Sequence, residues 1–219
     1  MSRGWVTSSK GFPMRGVSFI LRKKRFERTR ANYEKNTRVF SAHKGKLLHG
    51  QGTEPLCSMV YGKMPFSWNG CELIAVANVM EMLTGVQDLP RVVYEFELNN
   101  MHYVFPSGYW GTAPKKLYRY FDSHGIAYNS YRKAEDFEAA AENSSCGIVS
   151  FWNNKRSQAR LWGLDFFSGG LHTVAYRRSG GKYYVCNLYS KDTSPGIYSD
   201  ISQIYLEKRF IIGYTFKGV

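Results

Sequence analysis

The sequence predicts an α+β fold: a helical first half packed on an antiparallel sheet made by the second half. Three observations carry this. Residues 71–83 are apolar at Leu73, Ile74, Val76, Ala77, Val79, Met80 and Leu83, which predicts a largely buried helix. Residues 147–152, 172–177, 183–188 and 210–216 are short runs rich in Val, Ile, Tyr and Phe, the composition of strands. Ser179-Gly180-Gly181 stands between two of these runs as a hairpin turn.

The elements follow in order. Segment 51–70 is punctuated by Gly52, Pro55, Gly62, Pro65 and Gly70 and reads as loop. The buried helix 71–83 ends at Gly85, a C-terminal cap. Residues 91–98 fit helix or strand. Residues 99–111, with Pro106, Gly108 and Gly111 among aromatics, read as an irregular loop. Thr112 is placed to N-cap a helix with Pro114 in its first turn, running to Gly125. Residues 126–131 alternate as a short strand, and 134–142 form a short helix with Phe137, Ala140 and Ala141 inward.

Composition excludes several classes. At 43% hydrophobic and 16% aromatic, the 219-residue chain buries a core and is not wholly disordered. No apolar run approaches the roughly 18 residues of a membrane span. Val17–Leu21 is too short for a secretory signal core, so the expectation is a cytoplasmic protein, with export by a route lacking such a signal left open. Four cysteines are too few for a disulfide scaffold and point to free thiols. No Cys or His pair has metal-ligand spacing, so neither metal nor cofactor is expected.

Charge divides the chain. Residues 1–50 hold 13 Lys/Arg against Glu27 and Glu34, a net +11, whereas residues 51–219 are at +2. A basic extension (1–50) thus precedes a globular domain (51–219). The extension is either a patch for an anionic partner (nucleic acid, lipid or acidic protein) or a solvated arm that packs partly on the domain through Trp5, Phe12, Phe19, Phe26, Tyr33 and Phe40. It could also be a leader cleaved off near residue 50.

Candidate chemistry centres on Cys71. It follows Asn69-Gly70 and opens the buried helix, where unpaired N–H groups and the helix dipole favour thiolate and can hold an oxyanion. A cysteine nucleophile needs a base and an orienting group. Of five histidines, His172 opens a strand after Ser168-Gly169-Gly170-Leu171, and the returning strand of that hairpin ends in Asn187. An asparagine there can fix the imidazole's tautomer. Cys57, Cys146 and Cys186 read as core or incidental thiols, and Glu72 as a first-turn acid suited to the helix dipole. Trp110, Trp152, Trp162, Tyr103, Tyr109 and Phe167 are aromatic material for a groove or for ordinary packing, and residues 153–170 read as a loop that could gate it.

The stretch Asn-Gly-Cys-Glu-Leu-Ile-Ala-Val-Ala-Asn-Val-Met-Glu-Met-Leu-Thr-Gly (69–85) resembles the Gly-Cys-Glu nucleophile helix of bacterial papain-like cysteine peptidases of the C39-like group. Gly-Leu-His-Thr-Val-Ala-Tyr and Gly-Gly-Lys-Tyr-Tyr-Val-Cys-Asn (170–187) resemble that group's His strand and its following Asp/Asn strand. The resemblance spans about residues 55–219. It implies a papain-like fold and a cysteine hydrolase acting on peptide or isopeptide bonds, with Cys71 as nucleophile, His172 as general base and Asn187 as orienter. An acyltransferase with the same triad, or an inactive binding or effector protein on the same scaffold, are the alternatives.

One part departs from the pattern. That group carries a Gln several residues before the Cys to complete the oxyanion hole, and here Pro65 lies six residues before Cys71. Asn69, Ser67 and Tyr61 are the substitute donors the sequence offers, and loss of such a donor costs about 100- to 1,000-fold in rate.

Overall fold

The computed structural model describes residues 15–41, 43, 47–101, 111–155 and 170–217, with side chains from residue 23 onward and excluding 154–155. Helix α1 (Arg15–Phe40) comes first, followed by the small hairpin β1 (Val60–Tyr61) and β2 (Met64–Pro65). Then come α2 (Phe66–Asn69), α3 (Cys71–Thr84), α4 (Leu89–Leu98) and α5 (Tyr118–Ser123). The second half holds β3 (Asn129–Tyr131), α6 (Ala134–Ala141), β4 (Cys146–Lys155), β5 (Leu171–Ser179), β6 (Lys182–Cys186), β7 (Gly196–Tyr198) and β8 (Lys208–Phe216). The fold is therefore mixed α and β, with most helices in the first half and the main sheet in the second.

The six main strands form one antiparallel sheet in the order β3-β8-β4-β5-β6-β7. Strand alternation divides its side chains between two layers. One face sets Cys146, Ile148, Ala175, Ile212, Tyr214 and Phe216 against α3, α4 and α5. The other sets Val149, Phe151, Val174, Tyr176 and Val185 against Phe137 and Ala141 of α6 and a 3₁₀ turn at Ile201–Tyr205. The Gly180 and Gly181 turn has both residues at positive φ (58° and 74°), the two-residue turn that suits strand twist.

Local chemistry explains where the elements begin and end. Gly85, at φ 71°, closes α3 with its N–H bonded to the Glu81 carbonyl. The ambiguous 91–98 stretch is helical because Asp88 caps it, accepting from the Arg91 N–H, and Pro90 lies in its first turn. The helix expected from Thr112 is shorter: a 3₁₀ turn (Pro114–Lys116) leads into α5, and the Thr112 hydroxyl bonds the Tyr61 hydroxyl at 2.9 Å instead of capping.

The described part of the first 50 residues packs on the rest of the chain. Helix α1 lies on α4, burying Thr29 and Asn36. Asn36 clasps the Val60 peptide, donating to its carbonyl (2.8 Å) and accepting its N–H (2.9 Å). Asn78 of α3 clasps Leu48 in the same way (3.0 and 2.7 Å). Gly50 turns at φ 62° with no room for a side chain against the Asp192 carbonyl, and the Gly52 N–H bonds Ser190 (2.7 Å). The boundary expected at residue 50 therefore falls inside a buried turn, where a protease gains access only by local unfolding. The strongly basic α1 docks by one side although its sequence has almost no amphipathic pattern. Its docked side is held by Asn32 and Asn36, and Lys23, Lys24, Arg30, Lys35 and Arg38 are exposed. Among the described residues, no helix is long and apolar enough to cross a membrane.

Replacing Asn36 with Ala leaves the Val60 N–H and carbonyl without their partners. The expected cost is about 2 kcal/mol, with selective loss of hydrogen-exchange protection in α1. Urea unfolding and exchange measured on the same variant check both.

Candidate active site

The site is built from the N-terminus of α3. Gly70 lies against the Phe66 ring, where an added Cβ would come within 2.6 Å of ring carbons. Its carbonyl accepts from the Leu73 and Ile74 N–H groups, opening the helix. Gly70 brings no side chain to cap the first turn. Cys71 and Glu72, the first two helical residues, are both buried, at 5% and 2% exposure. A helix that is apolar on every side carries its own start into the interior.

The Cys71 thiol meets β5 where β6 has ended, since the β5–β6 pairing stops at Ala175 and Cys186. It donates to Glu72 Oε2 at 3.2 Å, lies 4.0 Å from the Leu171 carbonyl oxygen, and receives the Thr173 N–H. Those two β5 residues are the immediate neighbours of His172. The Glu72 carboxylate also accepts from Thr173 Oγ1 at 3.2 Å and from the Thr112 N–H. Thr173 in turn shares a 2.9 Å hydrogen bond with Ser150, its cross-strand partner.

Electrostatics here run opposite to the expected thiolate. Burial, then the Glu72 charge, push the Cys71 thiol well above its ordinary value. Burial raises Glu72 to about 7, despite the hydrogen bonds that favour its charge. Burial also raises Cys57, takes Cys146 to about 11 and Cys186 to about 12, so all four free cysteines rest as thiols at neutral pH.

His172 is held by its Nε2, 2.9 Å from the main-chain carbonyl oxygen of Asn187. A carbonyl only accepts, so Nε2 carries the hydrogen and Nδ1 of the neutral ring keeps a lone pair. Burial lowers the His172 pKa, with Lys208 adding to the shift, so neutral imidazole is the resting form. The ring packs edge-on to Phe151, its cross-strand partner, with centroids 5.8 Å apart. Cys71 and His172 are brought to the same segment of β5, yet among the described residues no hydrogen bond joins them.

Asn187 is present at the site in an altered role. Its left-handed backbone (φ 61°) turns the chain off β6, and its carbonyl, not its side chain, meets His172. The side chain is clasped by Gln51: Oδ1 accepts the Gln51 N–H (2.9 Å) and Nδ2 donates to Gln51 Oε1 (3.3 Å). Gln51 Nε2 then reaches the Ser67 carbonyl at 2.8 Å, two residues into α2. One glutamine thus ties the His172 orienter to the turn that carries Cys71.

Two of the three substitute oxyanion donors, Asn69 and Tyr61, are committed elsewhere. The Asn69 side-chain amide donates to the Tyr61 carbonyl (3.0 Å), and the Tyr61 hydroxyl pairs with Thr112. Ser67 offers its carbonyl to Gln51. Sequence reasoning missed Gln51 because it lies 20 residues before Cys71. Glycines on both sides of it were the available signal. It also read Glu72 as an ordinary first-turn acid, although its helix is apolar on all sides and so buries its first turn. Of the groove aromatics, Trp152 is half-buried on β4, whereas Trp110, Trp162, Tyr103, Tyr109, Phe167 and most of the 153–170 loop lie outside the described residues.

No family model matches the chain, and no curated protein matches it.

The buried carboxyl has a consequence for stability. Its folded pKa is raised, so between about pH 4.5 and 7 the unfolded chain sheds a proton that the folded chain keeps. Glu72 therefore makes stability fall as pH rises through that window, by on the order of 3 kcal/mol. Glu72→Gln removes that component. Urea unfolding at pH 4.5 and 7.5 should show a smaller pH-dependent loss in the variant than in wild type.

Proposed function

We propose that the protein is a papain-like cysteine hydrolase, a peptidase or isopeptidase, with Cys71 as nucleophile and His172 as general base. One observation carries the reading. The thiol at the start of α3 lies against Leu171 and Thr173, the two neighbours of a histidine whose Nε2–H is held by the Asn187 carbonyl, so that Nδ1 of the neutral ring carries the lone pair that takes a proton.

The steps follow from those positions. As a substrate carbonyl enters, the thiol proton passes to His172 Nδ1 and the sulfur bonds to the carbonyl carbon. The oxyanion is held by the Cys71 N–H at the uncapped helix start. The carbon–nitrogen bond breaks, and His172 returns its proton to the departing amine. Water then attacks the thioester, giving a proton to His172. The carbon–sulfur bond breaks and the thiol re-forms. An amine in place of water makes the same site an acyltransferase.

The second reading is an inactive binding or effector scaffold. The protonated, buried thiol and the lack of a Cys71–His172 hydrogen bond favour it. The exposed cations of α1 would then meet an anionic partner, with affinity falling steeply in salt.

An activated aryl ester separates the two readings. Hydrolysis should vanish in Cys71→Ser and drop at least about 100-fold in His172→Ala. Because a main-chain carbonyl holds the ring, Asn187→Gly, which keeps the positive φ, should retain activity within about 10-fold. An orienting side chain would cost on the order of 10,000-fold. Equal rates in wild type and Cys71→Ser would rule out the hydrolase.

A further inference from the structure

Glu72 has no part in the reaction steps above, yet its Oε2 accepts a hydrogen bond from the reacting sulfur at 3.2 Å. Its carboxylate is locked from four directions. Oε2 takes the thiol proton of Cys71, Oε1 takes the Thr173 hydroxyl of β5, and the Thr112 N–H and Glu72's own N–H complete the shell. Ser150 of β4 backs Thr173. Gly111 passes so close that an added Cβ would lie 3.5 Å from Oε2 and 3.2 Å from the Asn69 carbonyl oxygen. On the β1 side, Tyr61 feels the charges of both Glu72 and Glu97. Among the described residues no cation forms a salt bridge with Glu72, although it is 2% exposed.

A helix start ordinarily promotes a thiolate. Here that advantage is offset first by burial and then by a carboxylate 3.2 Å from the sulfur, since a second negative charge at that distance in a dry site is strongly opposed. Ser150 and Thr173 are polar residues in the buried part of their sheet face, among Ile148, Ala175 and Ile212, and both are fully buried. Their hydroxyls have one evident task, to hold Glu72 at the sulfur.

We propose that Glu72 is a positioning residue that governs Cys71: it holds the thiol proton in the resting protein and so sets when the thiolate forms. This rests on Cys71 being the nucleophile, but it makes a separate claim about the thiol itself. Glu72 and Cys71 titrate as one pair, so the first proton comes off the pair at about 7, above the usual carboxyl range, and the second only at higher pH. The site is thereby kept from reacting with passing electrophiles until substrate, or a proton on Glu72, relieves the repulsion.

The test reads the thiol, not turnover. In a Cys57→Ser background, iodoacetamide labelling of Cys71 is followed by peptide mass spectrometry from pH 5 to 10. At pH 8 Glu72→Gln should label at least about 10-fold faster than wild type, with its half-point moved to lower pH. Thr173→Val keeps the charge and loosens only its anchor, so it should stay within about 3-fold of wild type. An unchanged or higher half-point in Glu72→Gln overturns the proposal, as does acceleration in Thr173→Val equal to that in Glu72→Gln. If Glu72→Gln does not fold, the ultraviolet thiolate absorbance of wild type minus Cys71→Ala decides the matter. No thiolate below pH 9 is expected, and thiolate at pH 7 overturns the proposal. Loss of the hydrolase reading would show separately, as no ester hydrolysis dependent on Cys71 while the Glu72→Gln acceleration remains.

Discussion

Burial of helix α3 on every side is the constraint from which the rest follows. Leu73, Ile74, Val76, Ala77 and Val79 are fully or almost fully excluded from water, so α3 needs α4 and the sheet around it. A helix enclosed in this way has its first turn enclosed as well. Two residues with ionisable side chains, Cys71 and Glu72, are therefore taken out of water together, and each becomes the other's partner. Ser150, Thr173 and Thr112 are the polar atoms the sheet and the neighbouring loop must provide so that the carboxylate is not left bare.

A second theme is the use of side-chain amides in place of sheet. Asn36 pairs with Val60, Asn78 with Leu48, and Asn187 with Gln51, each amide making both a donor and an acceptor bond. These clasps join segments far apart in sequence without adding a strand. Through them the chain from α1 to the turn at Gln51 is bound to the same packed unit as the site. Part of the charge that sets the start of the sequence apart, Lys23, Lys24, Arg30, Lys35 and Arg38, is carried on the exposed side of a docked helix.

Much of this was legible beforehand. The buried helix 71–83, the Gly180-Gly181 hairpin and the late strands were readable because each is a local pattern of apolar spacing or turn chemistry. The position of Cys71 at a helix start was readable for the same reason. The remainder depended on contacts over long separations. Helix α1 has almost no apolar periodicity, because its docked side uses Thr29, Asn32 and Asn36, so its pattern resembled a solvated arm. Gln51 reaches Asn187 across 136 residues. The role of Asn187 turned on its backbone, since a positive φ presents its carbonyl to His172, and no composition rule separates that from a side-chain bond. The thiol was expected to be ionised from the dipole and the unpaired N–H groups of the helix start. Burial and a neighbouring carboxylate outweigh that dipole, which is worth about 1 kcal/mol near a surface.

The central claim is that Cys71, lying against the strand of His172, forms a covalent acyl intermediate. Its most direct test is rapid acid quench of the wild-type protein with an activated acyl thioester, followed by intact-mass and peptide analysis. The account predicts one acyl group on Cys71, formed far more slowly in His172→Ala and then lost to water. Acylation spread over Cys57 and surface lysines, with Cys71 unmodified, would contradict it.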